Sequence, residues 1–208
     1  MDLGQKNLFG DRIIKSIGFD ETQMIKDILH LHAKGNFIDA DVTYSIGNFY
    51  KNKLPQPKYK FDLYPQKPDV VKSSADNLPL KNNELNVLMF DPPFLIGKSG
   101  QCENSKMARR FSIFGTKKEL LDFYKSSLLE FHRVVKKGGI VIFKNQDVIT
   151  TSNKQVFTHC FIHEYAINSG FYVKDLFILL AKQRLNNPNH KQAHARKYHS
   201  YYYVLVAR

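Results

Sequence analysis

The sequence has few cysteines, few acidic residues and no long apolar run. Cys102 and Cys160 are the only cysteines in 208 residues, which argues against a disulfide scaffold and predicts a reduced, cytoplasmic setting. No apolar segment approaches the ~20 residues that a membrane-spanning helix needs. Residues 1–15 mix charged residues with glycine and lack the apolar core of a signal peptide. We therefore expect a cytoplasmic protein without a membrane partner.

The charge balance is strongly basic. Lys and Arg number 31 against 19 Asp and Glu, which gives a net charge of +12. In a small protein this balance indicates a polyanionic partner, most often nucleic acid. The hydrophobic fraction of 43% and the charged fraction of 24% are ordinary for a globular protein. The length predicts a single domain over residues 1–208.

Short apolar runs typical of strands alternate with amphipathic stretches typical of helices, which predicts an α/β sheet. The run 87–90 is apolar on both faces, as in a central parallel strand. Residues 95–116 lack periodicity and exceed the usual loop length, which predicts a functional loop. The predicted helices are 21–33, 117–135 (ended by Gly138 and Gly139) and 155–169, and the predicted strands are 37–43, 59–63, 70–73, 87–90, 140–143, 171–180 and 201–207.

Four acidic residues lie at or just after the carboxyl ends of predicted strands: Asp41, Asp62, Asp76 and Asp91. In an open parallel sheet these ends face the ligand crevice. In so basic a protein, we interpret these carboxylates as acceptors for the hydroxyl and amino groups of a nucleoside. Helix capping or turn chemistry is the competing interpretation for any one of them.

The most specific signal is the tetrapeptide Asp91-Pro92-Pro93-Phe94, directly after the run 87–90. Two prolines hold the backbone rigid and donate no N–H group. The Pro92 carbonyl and the Asp91 carboxylate then offer two hydrogen-bond acceptors, and Phe94 offers an aromatic face. This combination suits the exocyclic amino group of a planar base.

At these residues the chain resembles the class I S-adenosylmethionine-dependent methyltransferases, specifically the amino-methylating nucleic-acid branch with an Asp-Pro-Pro-Tyr/Phe motif. Residues 41–47 (Asp-Val-Thr-Tyr-Ser-Ile-Gly) resemble the Asp-x-x-x-Gly-x-Gly cofactor loop, with Ser45 in place of the first glycine. The cofactor loop precedes Asp-Pro-Pro-Phe, which differs from the order in permuted DNA methylases. The resemblance implies a Rossmann-like fold with a seven-stranded, mostly parallel sheet and helices on both faces.

The resemblance also implies S-adenosyl-L-methionine as cofactor, with residues 20–90 as its binding half and residues 91–208 as the catalytic half. Asp62 matches the acid that holds the cofactor ribose, and Asp76 matches the acid near its adenine. No metal is implied, because the sulfonium already carries an activated methyl group. The implied cofactor-binding residues are Asp41, Thr43, Tyr44, Ser45, Gly47, Asp62, Asp76 and Asn77, and the implied catalytic residues are Asp91, Pro92, Pro93 and Phe94.

Segments 41–50, 90–94, 144–147 and 194–201 together resemble a compact group of phage- and plasmid-type DNA methylases, over roughly residues 24–208. This favours adenine N6 in DNA as the methyl acceptor, although cytosine N4 and guanine N2 fit the same geometry. Small ribosomal guanine-N2 methylases also carry Asp-Pro-Pro-Phe, which keeps RNA open. Ser45 keeps open a non-catalytic nucleic-acid-binding subunit with the same fold.

Basic residues in the long loop and near the C-terminus are predicted to contact phosphates of the nucleic acid. For any single one, a solvated basic surface is the competing interpretation. With little room for a separate recognition domain, we expect specificity to come from residues 95–116, residues 181–198 or a partner, and self-association stays open. The predicted contacts are Lys98, Lys106, Arg109, Arg110, Lys144, Arg196, Lys197 and His199.

Overall fold

The computed structural model describes residues 12–35, 37–51, 54–96, 114–150, 152–183 and 193–208. Its helices are α1 (Glu21–His32), α2 (Lys117–Val134) and α3 (Thr158–Asn168), with a 3-10 turn at Asn48–Tyr50. Its strands are β1 (Ile17–Gly18), β2 (Ala40–Asp41), β3 (Tyr59–Asp62), β4 (Val71–Lys72), β5 (Leu85–Phe90), β6 (Val135–Asn145), β7 (Val148–Ile149), β8 (Gln155–Val156), β9 (Phe171–Leu180) and β10 (His199–Ala207).

The central sheet is mixed but mostly parallel, in the order β1-β9-β10-β6-β5-β2-β3-β4. Strand β10 runs antiparallel to both of its neighbours, whereas β2, β3, β4, β5 and β6 run parallel. The seven predicted strands are all present, and the two-residue strand β1 adds an eighth at the edge. Because β5 and β2 lie centrally, their carboxyl ends meet at the middle of one edge of the sheet, called here the carboxyl edge.

Helices cover both faces because the central strands are apolar on both. In β5, Val87 and Met89 pack with α1, whereas Leu88 and Phe90 pack with α2 and α3. Strands β6 and β10 divide their side chains in the same way, as the two-residue period of a strand requires. The sheet therefore separates two apolar cores, and a ligand reaches a central strand at its end.

The first two predicted helices form where expected and have side-chain caps. Asp20 accepts a hydrogen bond from the Gln23 backbone N–H at 3.0 Å, and Thr116 accepts one from Glu119 at 3.2 Å. Each cap satisfies a backbone donor that the first turn of a helix leaves without an intrahelical partner. Helix α1 therefore starts at Glu21, a position that matters for the site below.

The prediction that Gly138 and Gly139 end the second helix is wrong, because α2 ends at Val134 and β6 begins at Val135. Both glycines lie within the strand, where the β5–β6 register shifts. Gly138 has a φ of +79°, and a Cβ on Gly139 would lie 2.8 Å from the Asn86 carbonyl oxygen. These glycines thus allow an irregular strand rather than a helix end.

Two other predicted elements differ in their bounds. The segment 155–169 is not helical throughout, because Gln155 and Val156 pair with β7 and the helix starts at Thr158. The strand predicted at 37–43 is reduced to Ala40 and Asp41. Just before it, the Asp39 carboxylate accepts hydrogen bonds from the backbone N–H groups of Asn86 and Val87, and the Asp39 backbone N–H donates to the Val87 carbonyl at 2.9 Å. These bonds fix the register against β5. No helix among the described residues is both long enough and apolar enough to cross a membrane.

Candidate active site

A solvent-open cleft lies at the carboxyl edge of the sheet. Its walls include Thr43 and Ser45 after β2, Asp62 and Leu63 at the end of β3, and Asp91 after β5. The carboxyl ends of central parallel strands are where ligands bind in open α/β sheets. The structure thus brings residues of the predicted cofactor loop and of the Asp-Pro-Pro-Phe motif to one cleft.

Asp41 lies beneath this cleft, fully buried at the end of β2. Its carboxylate accepts hydrogen bonds from the Thr43 backbone N–H at 2.9 Å and from the Tyr50 hydroxyl at 2.8 Å. Burial raises the pKa of Asp41 to about 7; these two bonds oppose that rise, and the nearby charges of Asp91 and Asp62 add to it. These contacts hold the loop after β2 in place.

Replacing Asp41 with asparagine is expected to raise thermal stability by an amount that grows with pH. The ordinary pKa of the carboxyl is 3.8 and its pKa in the folded protein is about 7. Between these two pH values the folded protein therefore binds more protons than the unfolded chain. The wild type therefore loses stability as pH rises through this range, by up to about 1.4 kcal/mol per pH unit. Asparagine has no charge to bury and keeps an acceptor for Thr43.

Thermal unfolding of both proteins from about pH 5 to about pH 8 measures this difference. A stability difference that stays constant over that range would contradict the conclusion that burial raises the pKa of Asp41.

The loop after β2 turns through two left-handed residues. Ser45 has a φ of +50° and Gly47 a φ of +70°, a region that glycine enters without steric cost. The position where Ser45 replaces the usual glycine therefore does require a left-handed backbone. The Ser45 backbone N–H donates to the Asp62 carboxylate at 2.8 Å, and the buried Tyr44 hydroxyl donates to Gln56 at 2.7 Å. Serine thus makes the turn that glycine makes more easily.

Asp62 joins the loop after β2 to the loop after β3. One carboxylate oxygen accepts the Ser45 N–H, and the other accepts the Tyr64 N–H at 2.8 Å. Leu63 and Ala75 add apolar wall to the same cleft. Asp62 therefore holds the two loops together and presents its carboxylate at the wall of the cleft.

The structure places Asp76 and Asn77 differently from Asp62. The Asp76 carboxylate accepts hydrogen bonds from the hydroxyls of Ser74 and Ser126, the latter at 3.2 Å on α2. Asn77 is exposed, and its backbone N–H donates to the Ser74 carbonyl at 3.1 Å. These contacts fix the turn after β4, while Ser74 itself lines the cleft. Contact between Asp76 or Asn77 and a cofactor stays a prediction.

The Asp-Pro-Pro-Phe motif leaves β5 and is tied to its surroundings at several points. The Asp91 backbone N–H donates to the Thr43 hydroxyl at 2.7 Å, and the Tyr124 hydroxyl donates to the Pro93 carbonyl at 3.4 Å. Pro92 is buried, and the partly buried ring of Phe94 packs against the core formed with α2 and α3. The motif is therefore held by both the loop after β2 and α2.

The sequence predicts that Lys144 contacts nucleic acid. In the structure its ammonium group forms ion pairs with two carboxylates. Its Nζ lies 3.0 Å from Asp91 Oδ2 and 2.8 Å from Glu21 Oε1. The side chain is only 13% exposed, and the Tyr202 hydroxyl donates to the same Glu21 oxygen. Sequence reasoning missed this cluster because its members come from α1, β5, β6 and β10, and no local spacing connects them.

The other predicted phosphate contacts divide into two groups. Lys98, Lys106, Arg109 and Arg110 lie outside the described residues. Arg196, Lys197 and His199 lie at the amino end of β10, which the antiparallel register places beside the carboxyl end of β6. The Gln146 side-chain amide donates to the His199 carbonyl there at 2.6 Å. This second group is therefore located at the carboxyl edge, and its contact with phosphates stays a prediction.

A separate polar cluster lies beside the end of β6. The nearly buried Asp147 carboxylate pairs with His159 Nδ1 at 2.8 Å, and the His159 ring lies 4.6 Å from the Tyr201 ring. Among the described residues, no group of three or more His, Cys, Asp or Glu side chains is arranged to hold a metal ion.

Comparison with known proteins gives likeness in structure. No protein-family model matches the chain, and no curated protein matches it. An S-adenosylmethionine-dependent methyltransferase from Methanosarcina mazei shares 10% identity with a TM-score of 0.52, over 86% of this chain and 96% of that chain. A candidate methyltransferase from Haloferax volcanii, in complex with the Trm112 methyltransferase activator, shares 12% identity with a TM-score of 0.48, over 89% and 93%.

A candidate DNA modification methylase from Thermus thermophilus, in complex with S-adenosyl-L-methionine, shares 16% identity with a TM-score of 0.45. The match covers 65% of this chain and 53% of that one, so this chain spans about half the length of the Thermus protein. The strand order and the Methanosarcina likeness, which extends over nearly the whole of both chains, bear on the fold. Together they show that the chain has the Rossmann-like fold of the class I methyltransferases.

Proposed function

We propose that the protein is an S-adenosyl-L-methionine-dependent methyltransferase acting on the exocyclic amino group of a nucleobase, with adenine N6 in DNA as its substrate. The observation that carries this proposal is the shared cleft of Asp62 and Asp91. One carboxylate is suited to a sugar and the other to an amine. A nucleoside cofactor and a base can therefore be held at neighbouring strand ends of one sheet.

The described residues fit the cofactor. Asp62 presents a carboxylate to the cleft, an acceptor group that suits a pair of ribose hydroxyls. Val42, Leu63 and Ala75 give the cleft an apolar wall suited to the faces of an adenine ring. When bound, the cofactor supplies a methyl group already activated on a positively charged sulfur. The Methanosarcina protein, which has the same fold over most of both chains, depends on this cofactor.

Asp91 and Pro92 suit the amino group that receives the methyl. The amino nitrogen of adenine is a poor nucleophile because its lone pair is delocalised into the ring. Hydrogen bonds from its N–H groups to the Asp91 carboxylate and the Pro92 carbonyl favour a pyramidal nitrogen and direct its lone pair. The gain is in orientation and in stabilising the positive charge that develops on nitrogen.

A base in duplex DNA must leave the helix to reach this cleft, at a cost of a few kcal/mol. Stacking on an aromatic ring offsets about 1–3 kcal/mol of such a cost, and Phe94 supplies a ring two residues after Pro92 in the same motif. The net charge of +12 and the placement of Arg196 and Lys197 at the carboxyl edge favour a nucleic acid over a free nucleoside. Structured RNA is the second candidate, because these features suit it equally.

Methyl transfer with purified protein tests the proposal. Cofactor carrying an isotopically labelled methyl group is incubated with duplex DNA, single-stranded DNA or structured RNA at matched salt, and the products are digested to nucleosides. We expect labelled N6-methyladenine in DNA. A labelled methyl group on an RNA base would instead identify RNA as the substrate. Nucleic-acid binding without cofactor binding or transfer would instead identify a binding subunit and overturn the enzyme assignment.

A further inference from the structure

We infer that Lys144 is a positioning residue: it binds one oxygen of the Asp91 carboxylate and thereby orients the other oxygen toward the amino group of the substrate. This inference rests on the proposed function, because it assigns a role within that same site. It replaces the phosphate contact expected for Lys144 from the sequence.

The geometry around Lys144 is that of a held side chain. Its Nζ contacts Asp91 Oδ2 at 3.0 Å and Glu21 Oε1 at 2.8 Å. Its ammonium also lies 5.3 Å from the ring centre of Phe49 and 5.6 Å from that of Tyr202, within the range of cation–π attraction. These contacts on several sides restrict the orientation of the Lys144 side chain. Because Lys144 binds the Asp91 carboxylate, the orientation of that carboxylate is restricted as well.

The two oxygens of Asp91 consequently differ. Lys144 contacts Oδ2, and among the described residues no donor contacts Oδ1. The side chain of Asp91 is 25% exposed and lines the cleft. An amine entering the cleft therefore meets a carboxylate whose rotation about its own bond is already restricted. A positive charge that does not itself contact the substrate can contribute to catalysis by such preorganisation.

Charge explains why a lysine is needed here. Burial raises the pKa of Asp91, which disfavours the accepting carboxylate, while the Lys144 charge lowers that pKa and Glu21 raises it. Burial lowers the pKa of Lys144, but the two carboxylates outweigh this effect and keep the ammonium charged. The other ionisable groups facing Asp91 are Asp41 below the cofactor loop, Tyr124 on α2 and Tyr202 on β10.

Lys144 is therefore the only cation among the described groups that act on Asp91, and its loss would leave the carboxylates of Asp91 and Glu21 facing each other. Two carboxylates that share a site resist ionising together. The Asp91 carboxylate would then protonate at higher pH and lose its capacity to accept two hydrogen bonds.

The test is the pH dependence of methyl transfer in Lys144→Met, Lys144→Arg and Glu21→Gln. We expect Lys144→Met to move the acidic limb of the rate profile to higher pH by about one unit or more. Lys144→Arg should restore the limb to its wild-type position, because the positive charge is kept. Glu21→Gln should move the limb in the opposite direction, to lower pH, because a negative charge near Asp91 is removed.

Lys144→Met and Glu21→Gln each remove one charge, and they are expected to move the acidic limb in opposite directions. A general loss of structure cannot produce this result, because it lowers the rate at every pH. Glu21→Gln also keeps the inference testable if Lys144→Met does not fold. An active wild-type protein whose acidic limb moves in neither variant overturns the inference alone. An inactive wild-type protein overturns the proposed function and the inference with it.

Binding of duplex DNA against salt concentration separates this role from a phosphate contact. A positioning residue leaves the slope of log affinity against log salt unchanged in Lys144→Met. A residue that contacts phosphate reduces the magnitude of that slope by about one, and that result would overturn the inference.

Discussion

Asp91→Ala is expected to lower the rate of methyl transfer by about 10²–10³-fold, the effect of removing one preorganised hydrogen-bonding group from an active site. The substitution removes the acceptor at Oδ1 and the charge that Lys144 binds at Oδ2. The positive charge that develops on the amino nitrogen then loses the carboxylate that lies beside it. Because the proposed ribose contact is at Asp62, at another strand end, cofactor affinity should stay within a few-fold of the wild-type value.

Single-turnover rates and calorimetric titration with the cofactor measure the two quantities separately. Asp122→Ala is a matched control, since it removes an exposed carboxylate that pairs with Lys118 on the surface of α2. Asp91→Asn should lose less activity than Asp91→Ala, because the amide keeps one acceptor oxygen. Normal transfer by Asp91→Ala would remove this residue from the catalytic site.

Asp62→Ala is expected to weaken cofactor binding by about 10²-fold or more. Two hydrogen bonds from ribose hydroxyls to a charged acceptor contribute about 1.5–3 kcal/mol each, and alanine accepts neither. The substitution also releases the N–H groups of Ser45 and Tyr64, which the carboxylate holds at 2.8 Å each. The loops on either side of the cleft then lose their connection, so the cofactor meets a less ordered site.

Titration calorimetry with S-adenosyl-L-methionine and with its demethylated product, S-adenosylhomocysteine, measures this loss. Both should weaken equally, because they share the ribose. The control is Asp69→Ala, which removes a half-exposed carboxylate that pairs with Lys60 of the same strand as Asp62, β3. Asp62→Asn keeps one acceptor and should bind with intermediate affinity. Wild-type affinity in Asp62→Ala would exclude a ribose contact at this residue.

Much of the fold follows from local pattern. The apolar run 87–90 predicts a strand buried on both faces, and β5 is such a strand with a core on each side. The cap at Asp20 and the apolar stripe after it predict α1 to within a residue. Local interactions dominate in these elements, because a cap or a two-residue period is contained within a few neighbouring residues.

Other elements depend on pairing with a neighbouring strand. The two glycines at 138 and 139 are typical of a helix end, yet β6 passes through them because pairing with β5 is available there. Gln155 and Val156 leave the predicted helix to pair with β7. In each case hydrogen bonding to another strand overrides the preference of the segment itself.

The sequence by itself determined the α/β class, the position of Asp-Pro-Pro-Phe after a central strand and the acids at the strand ends, since all of these lie within short stretches of chain. Only the tertiary structure decided that Lys144 faces Asp91 and Glu21 rather than solvent, and that Tyr50 donates to Asp41. The reason is physical: a charged side chain shows its environment only when separate strands and helices pack around it. Asp91 and Glu21 are 53 and 123 residues away from Lys144 in the sequence. Their spacing therefore does not predict that the three side chains meet at the end of β6.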